Sequence, residues 1–187
     1  MSGRWPVLFV QGAGDINAPD GSLHLARYLA AELGPRFDVR APEMPGADTD
    51  PRFGPWRNRI VDELGTMASE PVLVGHSLGG SVLLKYLADD TSAAHPRAIF
   101  VVEAPWWGAE GWDYAEFALP TEFASRLPKV PVFLYHSVAD PEVPISHLEI
   151  YASQLPAAKV RRLPGDDHSY VGGLPELVAD IRAVTDG

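Results

Sequence analysis

The run Gly75-His76-Ser77-Leu78-Gly79 sets a serine between glycines two residues to either side. It follows the apolar stretch Pro71-Val72-Leu73-Val74 and opens a helical pattern that begins at Leu78. In that strand–turn–helix setting Gly-x-Ser-x-Gly is a nucleophile elbow. The turn is so tight that flanking side chains would meet neighbouring backbone, and it lifts the Ser77 hydroxyl clear of the strand. It also puts Ser77 at a helix N-terminus, where free N–H groups favour developing negative charge. A serine hydroxyl is a weak nucleophile and needs a general base, which needs an orienting carboxylate. The chain order that accompanies such an elbow is serine, then acid, then histidine. Asp140 follows the apolar run Val132-Phe133-Leu134-Tyr135-His136, and His168 follows the last strand candidate, in Gly165-Asp166-Asp167-His168-Ser169. Both therefore arrive at strand ends, on the sheet edge that carries Ser77. Glu103, Asp166 and Asp167 compete with Asp140 for the role of acid, the last two as residues that stiffen the loop of His168. Of the other histidines, His136 lies within a strand, His147 starts a helix, and His24 and His95 read as surface positions. His76, inside the elbow, suits loop support better than proton transfer.

A tetrahedral intermediate needs two backbone donors. The N–H of Leu78 is one. The other belongs to the loop after the first strand, Gln11-Gly12-Ala13-Gly14-Asp15, with Ala13 preferred and Gly12 second. An aromatic-rich segment at 103–128 contains Trp106, Trp107, Trp112, Tyr114, Phe117 and Phe123. A segment of that length in a compact domain is functional or partly helical. Its tryptophans Trp106, Trp107 and Trp112 either line a substrate pocket or form a satellite cluster under the loop.

The elements that must hold these groups are legible as alternating runs. Strand candidates are Val7–Val10, Phe37–Ala41, Val72–Gly75, Ala98–Val102, Val130–His136 and Lys159–Leu163. Most are continuously apolar, as strands covered on both faces must be. Val39-Arg40 and Val160-Arg161-Arg162 break that rule, which places the second and sixth strands at sheet edges. Helix candidates are Leu23–Leu33, with Asp20 or Ser22 as its cap, Trp56–Met67, Leu78–Leu87, Ser146–Leu155 and Leu174–Val184. Such alternation predicts a three-layer α/β architecture, a parallel sheet with helices on both faces.

Composition bounds the rest. The 187 residues suit one domain, 1–187, and 46% hydrophobic content suits an ordinary core. A net charge of −10, from 15 basic and 25 acidic residues, argues against nucleic acid or an anionic membrane as partner. The chain has no cysteine, which excludes thiolate catalysis and cysteine-ligated metal and fits a reducing, cytoplasmic setting. No run reaches the roughly 20 apolar residues of a membrane span. Neither a metal nor a cofactor is expected, and the oligomeric state is open.

The elbow at 75–79 with the loops of Asp140 and His168 resembles the α/β-hydrolase superfamily over essentially the whole chain. In size the chain is similar to one branch, the compact serine hydrolases of the retinoblastoma-binding-protein type. That resemblance implies a minimal six-stranded parallel sheet in order 2-1-3-4-5-6, a short lid-like segment at 103–128 and hydrolysis of small esters. The chain departs from many larger members in having Gln11-Gly12 where they have His-Gly. The pocket-protein motif of the human branch member requires a cysteine, so that partner role does not carry over. The expected activity is cleavage of carboxylic esters with small or medium acyl or alcohol groups, through Ser77, His168 and Asp140. The alternatives are a thioesterase, lactonase or amidase on the same residues, or a non-catalytic binding module that keeps the fold.

Overall fold

The computed structural model describes residues 4–67, 70–90 and 95–186. Six strands, β1 (Trp5–Val10), β2 (Phe37–Arg40), β3 (Val72–His76), β4 (Ala98–Val102), β5 (Val132–Ser137) and β6 (Lys159–Leu163), form one sheet in order 2-1-3-4-5-6. Every neighbouring pair is parallel. Six α-helices connect or follow them: α1 (Leu23–Leu33), α2 (Phe53–Gly65), α3 (Leu78–Asp89), α4 (Phe123–Arg126), α5 (Ser146–Gln154) and α6 (Pro175–Thr185).

Alternation along the strands decides where each helix packs. Leu8, Val10, Leu73, Ile99 and Val101 join Trp56 and Ile60 of α2, Val82 and Leu83 of α3, and Leu148 of α5 on one face. Val7, Phe9, Val72, Val74, Phe100 and Val102 join Leu25 and Leu29 of α1 and Leu177 and Ile181 of α6 on the other. The central strands therefore need apolar residues along most of their length, because both of their faces are covered, and their buried polar residues His76, His136 and Ser137 lie at the carboxyl ends. Each fully buried Val, Leu, Ile or Phe contributes about 1.5–3 kcal/mol over its exposed state.

The two strands with mixed sequence, β2 and β6, lie at the edges, as Val39-Arg40 and Val160-Arg161-Arg162 predict. Boundaries move by one to three residues. β5 starts at Val132 because Pro131 has no N–H for the ladder, and it runs on through Ser137. α2 begins at Phe53, so that Pro55 falls in its first turn, where no intrahelical donor is needed. The segment 103–128 is mostly irregular, with a 3₁₀ turn at Ala115–Phe117 and the single turn of α4. Among the described residues no helix is long and apolar enough to cross a membrane.

Candidate active site

Ser77 joins β3 to α3 with φ 51° and ψ −125°, left-handed backbone that a non-glycine residue adopts only when its surroundings enforce it. Its N–H donates to the Val102 carbonyl at 2.8 Å and its carbonyl accepts from Gly80 N–H at 2.9 Å. The flanking glycine Gly79 packs on the end of β1, and a Cβ there would lie 2.3 Å from the carbonyl oxygens of Val10 and Gln11. Leu78 opens α3, so its N–H is one of the helix's orphan donors.

His168 and Asp140 come together from two loops at the same sheet edge. His168 Nδ1 and Asp140 Oδ2 are 2.7 Å apart and buried. Asp140 Oδ1 accepts from the N–H groups of Glu142 at 2.7 Å and Val143 at 3.1 Å. Burial alone would raise this carboxyl, but hydrogen bonds from His168, Glu103 and the two backbone donors outweigh it and hold Asp140 below the ordinary carboxylate range. The Asp140 carboxylate accepts a hydrogen bond from His168 Nδ1–H, which leaves Nε2 as the unprotonated ring nitrogen, 3.6 Å from Glu142 Oε2. Ser77, His168, Glu142, Gly12 and Ala13 line one cavity of about 200 Å³.

His76 supports this pair, as its place inside the elbow suggests. Burial, reinforced by the nearby His168, lowers it to about 4, so it is neutral. Its Nε2 faces the His168 carbonyl at 2.8 Å and must carry the hydrogen. Its Nδ1 therefore accepts from Ser22 Oγ at 2.8 Å, and Ser22 Oγ in turn accepts from Gly12 N–H at 2.9 Å. A directed relay thus runs from the loop after β1 to the loop of His168. It corrects two expectations. The Gly12 N–H is committed to Ser22 and is not a donor to substrate; what Gly12 supplies is close approach, since a Cβ there would sit 3.0 Å from Ser77 Cβ. Ser22 does precede α1, but its hydroxyl makes no cap hydrogen bond to that helix.

A second, larger cavity of about 480 Å³ adjoins Ser77, Leu78 and Ala13 and is walled by Trp107, Trp112, Tyr114 and Phe117. The Trp107 ring packs on Trp112 at 5.4 Å, Tyr114 at 5.6 Å and Phe117 at 5.3 Å. Trp106 is not in this wall. Its ring meets Tyr151 at 5.0 Å and Phe123 at 5.8 Å and belongs to the core beneath the segment. Trp107 and Trp112 thus line a cavity, and Trp106 and Trp107 both pack against the core. Arg52 ties the wall to α2, pairing with Asp50 at 3.0 Å and Glu116 at 3.1 Å.

The remaining candidates separate cleanly. Asp167 stiffens its loop, accepting from Ser169 N–H at 3.0 Å and Tyr170 N–H at 2.7 Å. His95 is exposed and His24 half-buried. His147 accepts from Trp106 N–H at 2.7 Å, and burial lowers its pKa. Ligand atoms of Glu103, His136 and Asp140 lie within 4.8 Å of one another. The set does not fit a metal ion, because His136 Nε2 donates its hydrogen to the Val143 carbonyl at 2.7 Å and has no lone pair to offer. Sequence reasoning missed Ser22, Glu142 and Tyr170, whose neighbours carry no motif.

Parallel order 2-1-3-4-5-6 with helices on both faces defines the α/β-hydrolase fold, and a strained serine between β3 and α3 and an Asp–His pair stand at one edge of its sheet. The alpha/beta hydrolase family model matches residues 7–181, and the chain belongs to that family. No curated protein matches it in sequence. Among solved structures, the ydeN gene product from B. subtilis is similar with a TM-score of 0.77 at 18% identity, over 98% of this chain and 100% of that one. A serine hydrolase involved in carbazole degradation has a TM-score of 0.75 at 14% identity, over 98% and 92% of the two chains. Est1E from Butyrivibrio proteoclasticus, with ferulic acid bound, has a TM-score of 0.73 at 16% identity, over 99% and 89%. Identities this low establish a shared fold.

Proposed function

We propose that the chain is a serine hydrolase of carboxylic esters with small or medium acyl or alcohol groups. The observation that carries this reading is the strained Ser77 lining one cavity with His168, whose Nδ1 is bonded to the buried Asp140 behind it. Ser77 Oγ attacks the carbonyl carbon while His168 Nε2 takes its proton, and Asp140 holds the imidazole in the required tautomer. The oxyanion is received by the N–H groups of Leu78 and Ala13, each such donor being worth about 10²–10³ in rate. His168 returns the proton to the leaving alcohol, and water, with His168 again as base, releases the acid from Ser77. The aromatic-walled cavity beside Ser77 takes the acyl or alcohol group, with 103–128 as a short lid-like cover, and binding of ferulic acid by Est1E, which shares the fold, supports a small aromatic acid or its ester as ligand.

The test is a panel of p-nitrophenyl esters of increasing acyl length, run in parallel with thioesters, lactones and anilides. Turnover is expected for short and medium esters and should decline once the acyl group outgrows the cavity. Turnover confined to thioesters, lactones or amides would replace the ester reading. No turnover of any acyl substrate would favour a binding module on this fold.

A further inference from the structure

Glu103 is the first residue after β4, as Ser77 is the first after β3, and it too has a positive φ, 52°. Its carboxyl is fully buried. Oε1 accepts from the Tyr170 hydroxyl and from Ser137 N–H at 2.7 Å. Oε2 is buried without a hydrogen-bond partner. The nearest nitrogen, His136 Nε2, is 3.1 Å away, but its one hydrogen is given to Val143. On the other side stands Asp140, a carboxylate oxygen of which lies within 4.8 Å of one of Glu103, and it already accepts three hydrogen bonds. A carboxylate offers about four lone-pair positions, so one is left. Two buried carboxyls in contact do not both ionise. Burial, with Asp140 adding to it, pushes Glu103 up to about 9, while Asp140 is held low. A hydrogen on Oε2 supplies both the missing partner and the missing donor.

We infer that Glu103 is a positioning residue: a neutral carboxylic acid whose Oε2–H donates to Asp140 and fixes it against His168 Nδ1 without adding a second charge. The positioning role rests on the proposed function, because it acts through Asp140 and His168; the proton on Glu103 does not. The titratable groups around the pair are His136 from β5, His147 from α5, His76 at the end of β3, and Asp167, His168 and Tyr170 after β6. Glu149 of α5 acts on His136, and Glu142 is mostly exposed. None of these places a cation against Glu103 that would favour its ionised form. Since the folded value lies above the ordinary one of 4.5, folding takes up a proton. Stability from this group is full below 4.5 and is lost as pH rises through about 9.

Infrared difference spectra of wild type against Glu103→Gln test the proton directly. A protonated-carboxyl C=O stretch should be present at pH 7 in wild type, titrate near pH 9 and be missing from the variant. The glutamine amide can donate to Asp140 at any pH, so Glu103→Gln should keep kcat/KM at pH 7 within about threefold and stay active where wild type declines above pH 9. Glu103→Leu should lose about tenfold or more in kcat, with KM little changed. Absence of the band in wild type at pH 7 overturns the inference. So does an alkaline decline shared equally by wild type and Glu103→Gln, or a Glu103→Gln as impaired as Glu103→Leu. Should the chain hydrolyse no ester, the band and the pH dependence of melting in the same two proteins still decide whether Glu103 carries the proton.

Discussion

The two cavities beside Ser77 are held by different forces. Behind His168, directional bonds fix each group: Asp140 takes Nδ1, His76 takes the carbonyl, and Ser22 links His76 to the loop after β1. All of these side chains are buried. On the aromatic side Trp107, Trp112, Tyr114 and Phe117 meet through ring contacts, and the outer tie is Arg52, whose side chain is 59% exposed. Buried hydrogen bonds set angles and proton positions, whereas ring packing sets volume and tolerates exchange. On the proposed function, the contrast assigns rate to the first side and selectivity to the second. A proton relay needs fixed geometry, and a pocket wall needs only the right shape.

The larger break in that contrast is expected from the polar side. Ser22→Ala strips the partner from two buried groups, the Gly12 N–H and the His76 Nδ1, and should lower stability by about 1–3 kcal/mol. Because it releases the loop of His168 as well, kcat should drop about tenfold while KM moves less than about twofold. Urea unfolding together with steady-state kinetics measures both. An unchanged kcat would mean that the relay from Gly12 to His168 is packing and no more.

A smaller and differently shaped effect is expected opposite. Trp112→Ala opens the wall beside Trp107 and His147. It should raise KM by about 3- to 10-fold for aromatic or medium-chain esters, and by less for acetyl esters, with kcat shifting least. Michaelis profiles across acyl lengths read this directly. A uniform drop in kcat for every ester would show that the aromatic side, too, sets the geometry of the reacting groups.

The same contrast governs what was legible in the sequence. The sheet edges could be read because covered strands are apolar along most of their length, which the stretches around Val39-Arg40 and Val160-Arg162 are not; the strand order was an implication of the family resemblance. Ser77, Asp140 and His168 could be picked out because the elbow is local and the chain order is constrained. Ser22 could not, since its partners Gly12 and His76 are 10 and 54 residues away and its position before α1 looks like an ordinary cap. Trp106 and Trp107 are adjacent and both pack on the core, yet only Trp107 also lines the cavity, a difference set by an irregular backbone without period. Glu103 was visible as a rival acid; only its contacts with Tyr170, Ser137 and Asp140 give it a different part.

The central claim is that Ser77 is a nucleophile activated by His168, and covalent labelling tests it most directly. Wild-type protein treated with a fluorophosphonate should gain one adduct, which peptide mass spectrometry places on Ser77, and Ser77→Ala should gain none. His168→Ala should label slower by a factor on the order of 10³ or more. Labelling that persists in Ser77→Ala, or that proceeds at the wild-type rate in His168→Ala, would contradict the account.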